Sequence, residues 1–279
     1  MLYLLLAILS SAMISIVSRL SEKQVTHNLG MLVMNYLMCA LLGGFSAGLG
    51  TLFNPSDPQF AITTAMGCFN GILYLVSFLL LQVNIRRSGV VLSATFMKLG
   101  LLVTMVVSVF LYREIPGLTG AIGFLLAVAA IILINHKGEG GTYRFRSGLL
   151  WLLLCGGMAD AMSKVFEESG VPGMGNQFLF FTFATALVFC TLSMLVKGQR
   201  IGKWEALFGL LIGIPNFYSS KFLLWSLRDV AAVVAYPVYS VGTILVVTLA
   251  GLLLFRERLE KRQWLALGII LMALILLNI

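Results

Sequence analysis

Apolar residues along this chain gather into ten runs, each near the roughly 20 residues a helix needs to cross a bilayer. The runs cover 2–20, 29–50, 60–83, 88–111, 116–135, 147–168, 174–196, 204–227, 230–255 and 263–279. Their length predicts helices, because barrel strands would show short segments of alternating polarity. Breakers mark the joints: Asn54-Pro55-Ser56-Asp57-Pro58, Arg86-Arg87-Ser88-Gly89, Pro116-Gly117 and Val171-Pro172-Gly173. The first run begins at Leu2, with no basic leader and no small-residue cleavage pattern before Arg19. It predicts a first membrane helix and not a removed signal.

The pattern repeats. Arg113-Glu114 and Arg256-Glu257 stand 143 positions apart, and the same shift lays Asn135 on Asn278 and Val90-Val91 on Val233-Val234. In the first spans, Met13-Ile14-Ser15-Ile16-Val17-Ser18-Arg19 faces Met158-Ala159-Asp160-Ala161-Met162-Ser163-Lys164, with an acid following at Glu22 and Glu167. Matches among Leu, Ile and Val mean little in an apolar background; a charged pair between two apolar runs means more. The chain therefore reads as two five-helix repeats, 1–137 and 146–279, joined by a linker at 138–145. A duplicated unit with an odd number of spans enters the membrane in opposite senses, which predicts an inverted repeat. The expected fold is an all-α integral membrane protein of ten transmembrane helices.

Composition agrees. With 59% hydrophobic residues, 11% charged residues and a mean hydropathy of +0.99, the chain has too little polar surface for a soluble fold. The net charge of +8 is not a nucleic-acid footprint, because the basic residues sit in short joints between apolar runs. Arg19, Lys23, Arg86, Arg87, Lys137, Arg144, Arg146, Lys197, Arg200, Lys203, Arg256, Arg258, Lys261 and Arg262 fall in the odd-numbered joints. Only Arg113, Lys164 and Arg228 fall in the even ones. The positive-inside rule then puts the odd joints in the cytoplasm of a bacterial-type cell and both termini outside its inner membrane.

Enzyme and metal chemistry find no support. Cys39, Cys68, Cys155 and Cys190 are scattered singly through apolar runs, and His27 and His136 lie in joints without paired ligands. No cofactor and no metal are expected. "SSAMIS" and "GGFSAGLG" lack the strand context and the Lys-Ser/Thr of a phosphate loop, and the glycines of the second suit close helix crossing.

Three ionisable residues lie inside the runs. Lys98 is about 16 Å beyond Arg87, Asp160 about 21 Å beyond Arg146, and Lys221 about 10 Å before Arg228, at 1.5 Å per helical residue. A charge at such depth costs about 3 kcal/mol or more unless it meets a cavity or a partner. Asp160 and Lys221 could form a structural ion pair, Lys164 could serve Asp160 one turn along, and Lys98 could pair with Asp160 across the bundle. Otherwise all three contact the solute. Asn70, Tyr74, Asn216, Tyr236 and Tyr239 complete the candidate solute site, although aromatic residues in membrane helices are often packing or interface belt. Pro215 and Pro237 are candidate gating points, because a mid-span proline frees a carbonyl and bends its helix.

With these residues in view, the chain resembles the drug/metabolite transporter superfamily, in its ten-helix EamA-like branch. The resemblance rests on "LYREIPG" and "LFRERLE" at the fourth-to-fifth and ninth-to-tenth joints, on "VVAYPVYSVG" in the ninth span, and on the glycine-bearing final spans. It covers the whole chain and implies alternating-access movement of small metabolites through a central cavity. Two features depart from the family's usual pattern. The charge distribution puts both termini outside, where the family is commonly drawn with both inside. The first-span acid through which small relatives couple to protons is replaced by Ser15 in the first half and Asp160 in the second.

Two interior lysines against one interior acid predict an anionic or zwitterionic solute. A proton-coupled exporter of cationic or aromatic drugs is the alternative, with a proton as coupling ion at Asp160. A non-transporting scaffold or a channel is the alternative from another class. No nucleic-acid partner is expected; the bilayer and a small solute are.

Overall fold

The computed structural model describes residues 2–48, 58–113, 117–135, 147–171, 173–226 and 232–276, and these residues are helical or in short turns. The helices are α1 (Leu2–Ser21), α2 (Asn28–Ala47), α3 (Pro58–Ser88), α4 (Val90–Lys98), α5 (Leu101–Val107), α6 (Leu118–Asn135) and α7 (Ser147–Ser169). After them come α8 (Gly175–Val196), α9 (Lys203–Ser226), α10 (Ala232–Leu253) and α11 (Lys261–Leu276), and a π-helical turn, Ser108–Tyr112, follows α5. Among the described residues seven spans are long and apolar enough to cross a membrane, with shorter apolar helices at Leu118–Ala130 and Val238–Leu253. Large apolar side chains such as Leu5, Phe45, Phe110, Leu125, Val196 and Leu249 stand exposed on the outside of the bundle, as hydrocarbon contact requires.

Two spans differ from the run lengths. α3 continues past residue 83 to Ser88, taking Arg86 and Arg87 into its last turn, where the helix dipole favours cations. Gly89 ends it at φ +84°, a conformation that side-chain-bearing residues rarely adopt. The fourth span is broken at Leu99-Gly100, where the Gly100 amide turns to the Met97 carbonyl at 3.2 Å. The break sits where α4 and α5 cross α7: a Cβ on Gly100 would stand 2.8 Å from the Cα of Gly157.

Small residues set the other close crossings. Gly67 and Gly71 on α3 press against α8, where a Cβ on Gly67 would stand 2.9 Å from the Phe178 carbonyl oxygen. Gly209 and Gly213 on α9 press against α2 in the same way, with 2.7 Å between a Gly213 Cβ and the Asn35 carbonyl oxygen. Backbones approach this closely only where neither side chain intervenes. α3 also packs on α7, α9 on α1, α10 on both α1 and α4, α2 on α8, and α6 on α11.

Two larger cores result. One joins α2, α3, α8 and α9 around Tyr36, Phe78, Phe183 and Phe217. The other joins α4, α6, α7, α10 and α11 around Phe96, Leu153, Ile244 and Ile270. Between them a smaller cluster of Ala12, Leu81, Val91, Ala94, Leu152 and Val247 fills the middle of the bundle. The ends of the helices at the odd-numbered joints are tied together. Glu205 accepts hydrogen bonds from the Thr26 and His27 amides (3.0 and 3.2 Å), Arg86 donates to the Val25 carbonyl (3.1 Å), and Asn84 donates to the Gly148 carbonyl (2.9 Å).

Arg113 and Arg256 share one unusual feature. Among the described residues they are the non-glycine positions with positive φ, at 55° and 51°. Each immediately precedes the glutamate of its joint.

Candidate functional site

The broken fourth span delivers Lys98 to the interior. It is the last residue of α4, immediately before the Leu99-Gly100 turn, and it is half-buried. Its ammonium lies 3.9 Å from the centroid of the Tyr239 ring on α10, within cation–π range. Asp160 on α7 lies within Coulombic reach of Lys98, and also of Tyr74 on α3. By surface area Asp160 is itself exposed. Neither Lys98 nor Asp160 takes part in an ion pair among the described residues.

Glycines position both charges. Gly157 meets Gly100 at the crossing, and Asp160 follows it by three residues, almost one helical turn, while Lys98 precedes Gly100 by two. A Cβ at Gly156 would come 3.3 Å from the Ser77 hydroxyl of α3, a buried group without a hydrogen-bond partner among the described residues. Tyr74 lies one turn earlier on α3. Its ring stacks on Phe78 (5.7 Å, 22°) and meets Phe183 edge-on (5.5 Å, 87°), which fixes its direction. Ser220 on α9 lies near its hydroxyl.

The site therefore assembles Tyr74 and Lys98 from before residue 137 with Asp160, Ser220 and Tyr239 from after residue 146. One cation and one carboxylate come near each other beside aromatic and hydroxyl-bearing side chains. Such a grouping can hold an anion beside Lys98 and a cationic group beside Asp160 at once.

Other candidates from the sequence lie elsewhere. Lys221 turns to α2, donating to the Ser46 hydroxyl at 2.8 Å, with the Trp225 and Phe217 rings 5.1 and 5.4 Å away. The Asp160–Lys221 pair does not form, and Lys164 turns to Glu168 at 2.6 Å. Asn216 donates to Asn35 (3.2 Å) in the α2–α9 contact, fully buried. Asn70 is also buried on α3, its side-chain oxygen without a partner among the described residues. Pro215 is buried inside α9, which continues unbroken across it. The side chains of Tyr236 and Pro237 lie outside the described residues, as do Glu114 and Arg228.

Sequence reasoning passed over Ser77, Ser220 and the Gly100–Gly157 crossing. Ser220 lay beside the singled-out Lys221 in "NFYSSKF", but helix phase was needed to tell which of the two faces the site. The paired glycines "GCFNG" and "GLLIG", Gly67/Gly71 and Gly209/Gly213, carried a four-residue signal that was readable in principle.

Comparison with known proteins fits this architecture. The EamA-like transporter family matches residues 1–136 and 146–279. A protein of Haemophilus influenzae, itself uncharacterised, is 22% identical over 201 residues, which cover 70% of this chain and 68% of the relative. A solved crystal structure superposes with a TM-score of 0.65 at 16% identity, over 99% of this chain and 94% of the other, and shows the likeness of fold alone.

Proposed function

Because the chain belongs to the EamA-like transporter family and is thus a multi-pass membrane transporter, we propose that it carries a small anionic or zwitterionic metabolite by alternating access between two inverted halves. The observation that carries this reading is the nearness of Lys98 and Asp160 where the fourth span crosses α7. They come from opposite halves, lie within Coulombic reach and make no ion pair among the described residues. Two unlike charges left apart at an accessible interior point suit a ligand that bears the complementary charges, or an anion alone.

The helix contacts support the inverted-repeat element. α1 on α9 has its counterpart in α7 on α3, α2 on α9 in α8 on α3, and α1 on α10 in α7 on α4 and α5. The αL arginines Arg113 and Arg256 occupy matching joints, at opposite ends of the bundle if the halves are inverted. Five-span units at 1–137 and 146–279 are the domains of this reading. The odd joints then face the cytoplasm of an inner membrane, by their lysines and arginines.

The cationic-drug reading is weaker on one point. A drug cation would use the Tyr239 ring face, and Lys98 already covers it at 3.9 Å. Purified protein screened by thermal shift against amino acids, organic acids, phosphates and quaternary amines tests the proposal. An anion or zwitterion should raise the melting temperature by mass action, and do so no longer in Lys98→Met. Stabilisation by quaternary amines alone would overturn it.

A further inference from the structure

Glu257 lies far from Lys98 in sequence, yet it grips the helix that carries it. Its carboxylate accepts hydrogen bonds from the Val90 amide (2.8 Å) and the Val91 amide (3.3 Å), the first two of α4. Gly89, which precedes α4, has no side chain to cap it, and a Cβ there would stand 2.8 Å from the Glu257 carboxylate. A carboxylate on exposed helix amides is favourable both as a hydrogen-bond acceptor and against the helix dipole. Arg19, at the end of α1, adds an ion pair at 3.5 Å, while also pairing with Glu22 and donating to the Ile85 carbonyl at 3.4 Å. The Glu257 amide donates in turn to the Gly251 carbonyl at 2.9 Å, which holds the joint folded against the end of α10.

The position matters. Directly inside this ionic contact lies the apolar cluster of Ala12, Leu81, Val91, Ala94, Leu152 and Val247. It draws on α1, α3, α4, α7 and α10 and sits along α4 between Glu257 at one end and Lys98 at the other. A solute leaving Lys98 toward the odd-joint face must part this cluster. In this reading parting it moves α10 away from α4 and α1, and Glu257, in the joint that follows α10, hydrogen-bonds the start of α4 and pairs with Arg19 of α1.

We propose that Glu257 is a positioning residue that latches the odd-joint gate: it joins the α10–α11 joint to α4 and α1, and its release opens the solute site to that face. The inference rests on the alternating-access reading. It makes α4 a short strut with the latch at its N-terminus and the solute lysine at its C-terminus. Movement of Lys98 with bound solute and loosening of Glu257 are then one event.

The test needs no known solute. Ala94→Cys, in the cluster, and Ser220→Cys, in the site, are placed singly in a background where Cys39, Cys68, Cys155 and Cys190 are alanine. A membrane-impermeant cationic methanethiosulfonate is added to sealed vesicles from either face. In Glu257→Gln the Ala94→Cys rate from the odd-joint face should rise about tenfold, as weakening a charge-assisted hydrogen bond shifts a two-state equilibrium. The Ser220→Cys rate from the opposite face should fall, a reciprocal change that mere loosening of the fold does not produce. Arg19→Gln should act in the same direction and more weakly, because the amide contacts remain, and Glu257→Asp should restore part of the native rates. Unchanged rates, or equal increases from both faces, overturn the latch. Labelling of Ser220→Cys from both faces at once with Glu257 intact overturns the carrier reading beneath it.

Discussion

Gly100 and Gly157 meet backbone to backbone, and a Cβ on Gly100 would stand 2.8 Å from the Gly157 Cα. The contact lies two residues from Lys98 and three from Asp160. Gly100→Ala therefore has to push α7 away from the fourth span, and overpacking of this kind costs about 1–3 kcal/mol. The expected outcome is an inserted protein with a lowered melting temperature and at least about tenfold weaker solute binding, since small misplacements at a site are costly. Gly175→Ala, with nothing within 4 Å of its Cβ, should change neither quantity. Equal effects from the two substitutions would remove the crossing from the account of the site.

Lys98 should matter through its charge. Lys98→Met keeps the length of the side chain and removes the ammonium from the Tyr239 face. Among the described residues Lys98 makes no ion pair, so the protein should fold and insert nearly as well as the native chain while its solute binding is lost. Lys98→Arg should keep part of it. Proteoliposome uptake of a solute found by thermal shift, measured beside each variant's melting temperature, decides the matter. Normal uptake by Lys98→Met would remove Lys98 from the site.

Glu205 should act on stability alone. It is 4% exposed and accepts from the Thr26 amide, the Thr26 hydroxyl and the His27 amide, at the start of α2. His27 gives that helix no side-chain cap of its own. Glu205→Ala strands two amides there, at a cost of about 1–3 kcal/mol. Thermal denaturation in detergent should show the loss, and Glu205→Gln should recover part of it. A melting temperature unmoved by Glu205→Ala would show that water caps α2 equally well.

The distribution of charge among the joints predicts both termini outside the cytoplasm. A reporter fused after Ile279 reads this directly. Full activity of a reporter that works only in the cytoplasm would reverse the orientation, and with it the side on which the Glu257 latch closes.

How much of this was legible beforehand depends on the kind of information each feature needs. Run length and breakers located the helices well, because crossing a bilayer demands a minimum apolar length. They placed the fourth span as one piece, because the break at Leu99-Gly100 arises from Gly157, a residue in another helix. The depth argument singled out Lys98 and Asp160, which the structure brings within Coulombic reach of each other, and depth is one-dimensional. It grouped Lys221 with them, whereas helix phase turns Lys221 to Ser46 and leaves its neighbour Ser220 toward Tyr74. The repeat alignment also marks what is not repeated: Lys98 falls on Val241 and Asp160 on Ser15. The frame is duplicated in sequence while the charges inside it are single.

Asn35 and Asn216 set up the most discriminating experiment on whether a buried polar pair serves structure or solute. Asn216 Nδ2 donates to Asn35 Oδ1 at 3.2 Å, and both residues are fully buried between α2 and α9. The pairing is half complete, since Asn35 Nδ2 and Asn216 Oδ1 have no partner among the described residues. Asn216→Leu strands the remaining polar atoms of Asn35, and an unsatisfied buried group costs about 1–3 kcal/mol. Changing Asn35 to Leu as well removes every stranded atom, and replacing both partners by apolar groups can be neutral or stabilising. The double variant should therefore melt above Asn216→Leu, with a coupling energy of about 1 kcal/mol or more, as expected for residues in contact. If Asn216 instead serves the solute, Asn216→Leu should lose transport with little change in melting temperature, and the second substitution should restore neither. Equal melting temperatures for the single and double variants would mean that the two amides do not depend on each other, and that the 3.2 Å contact contributes nothing to the α2–α9 packing.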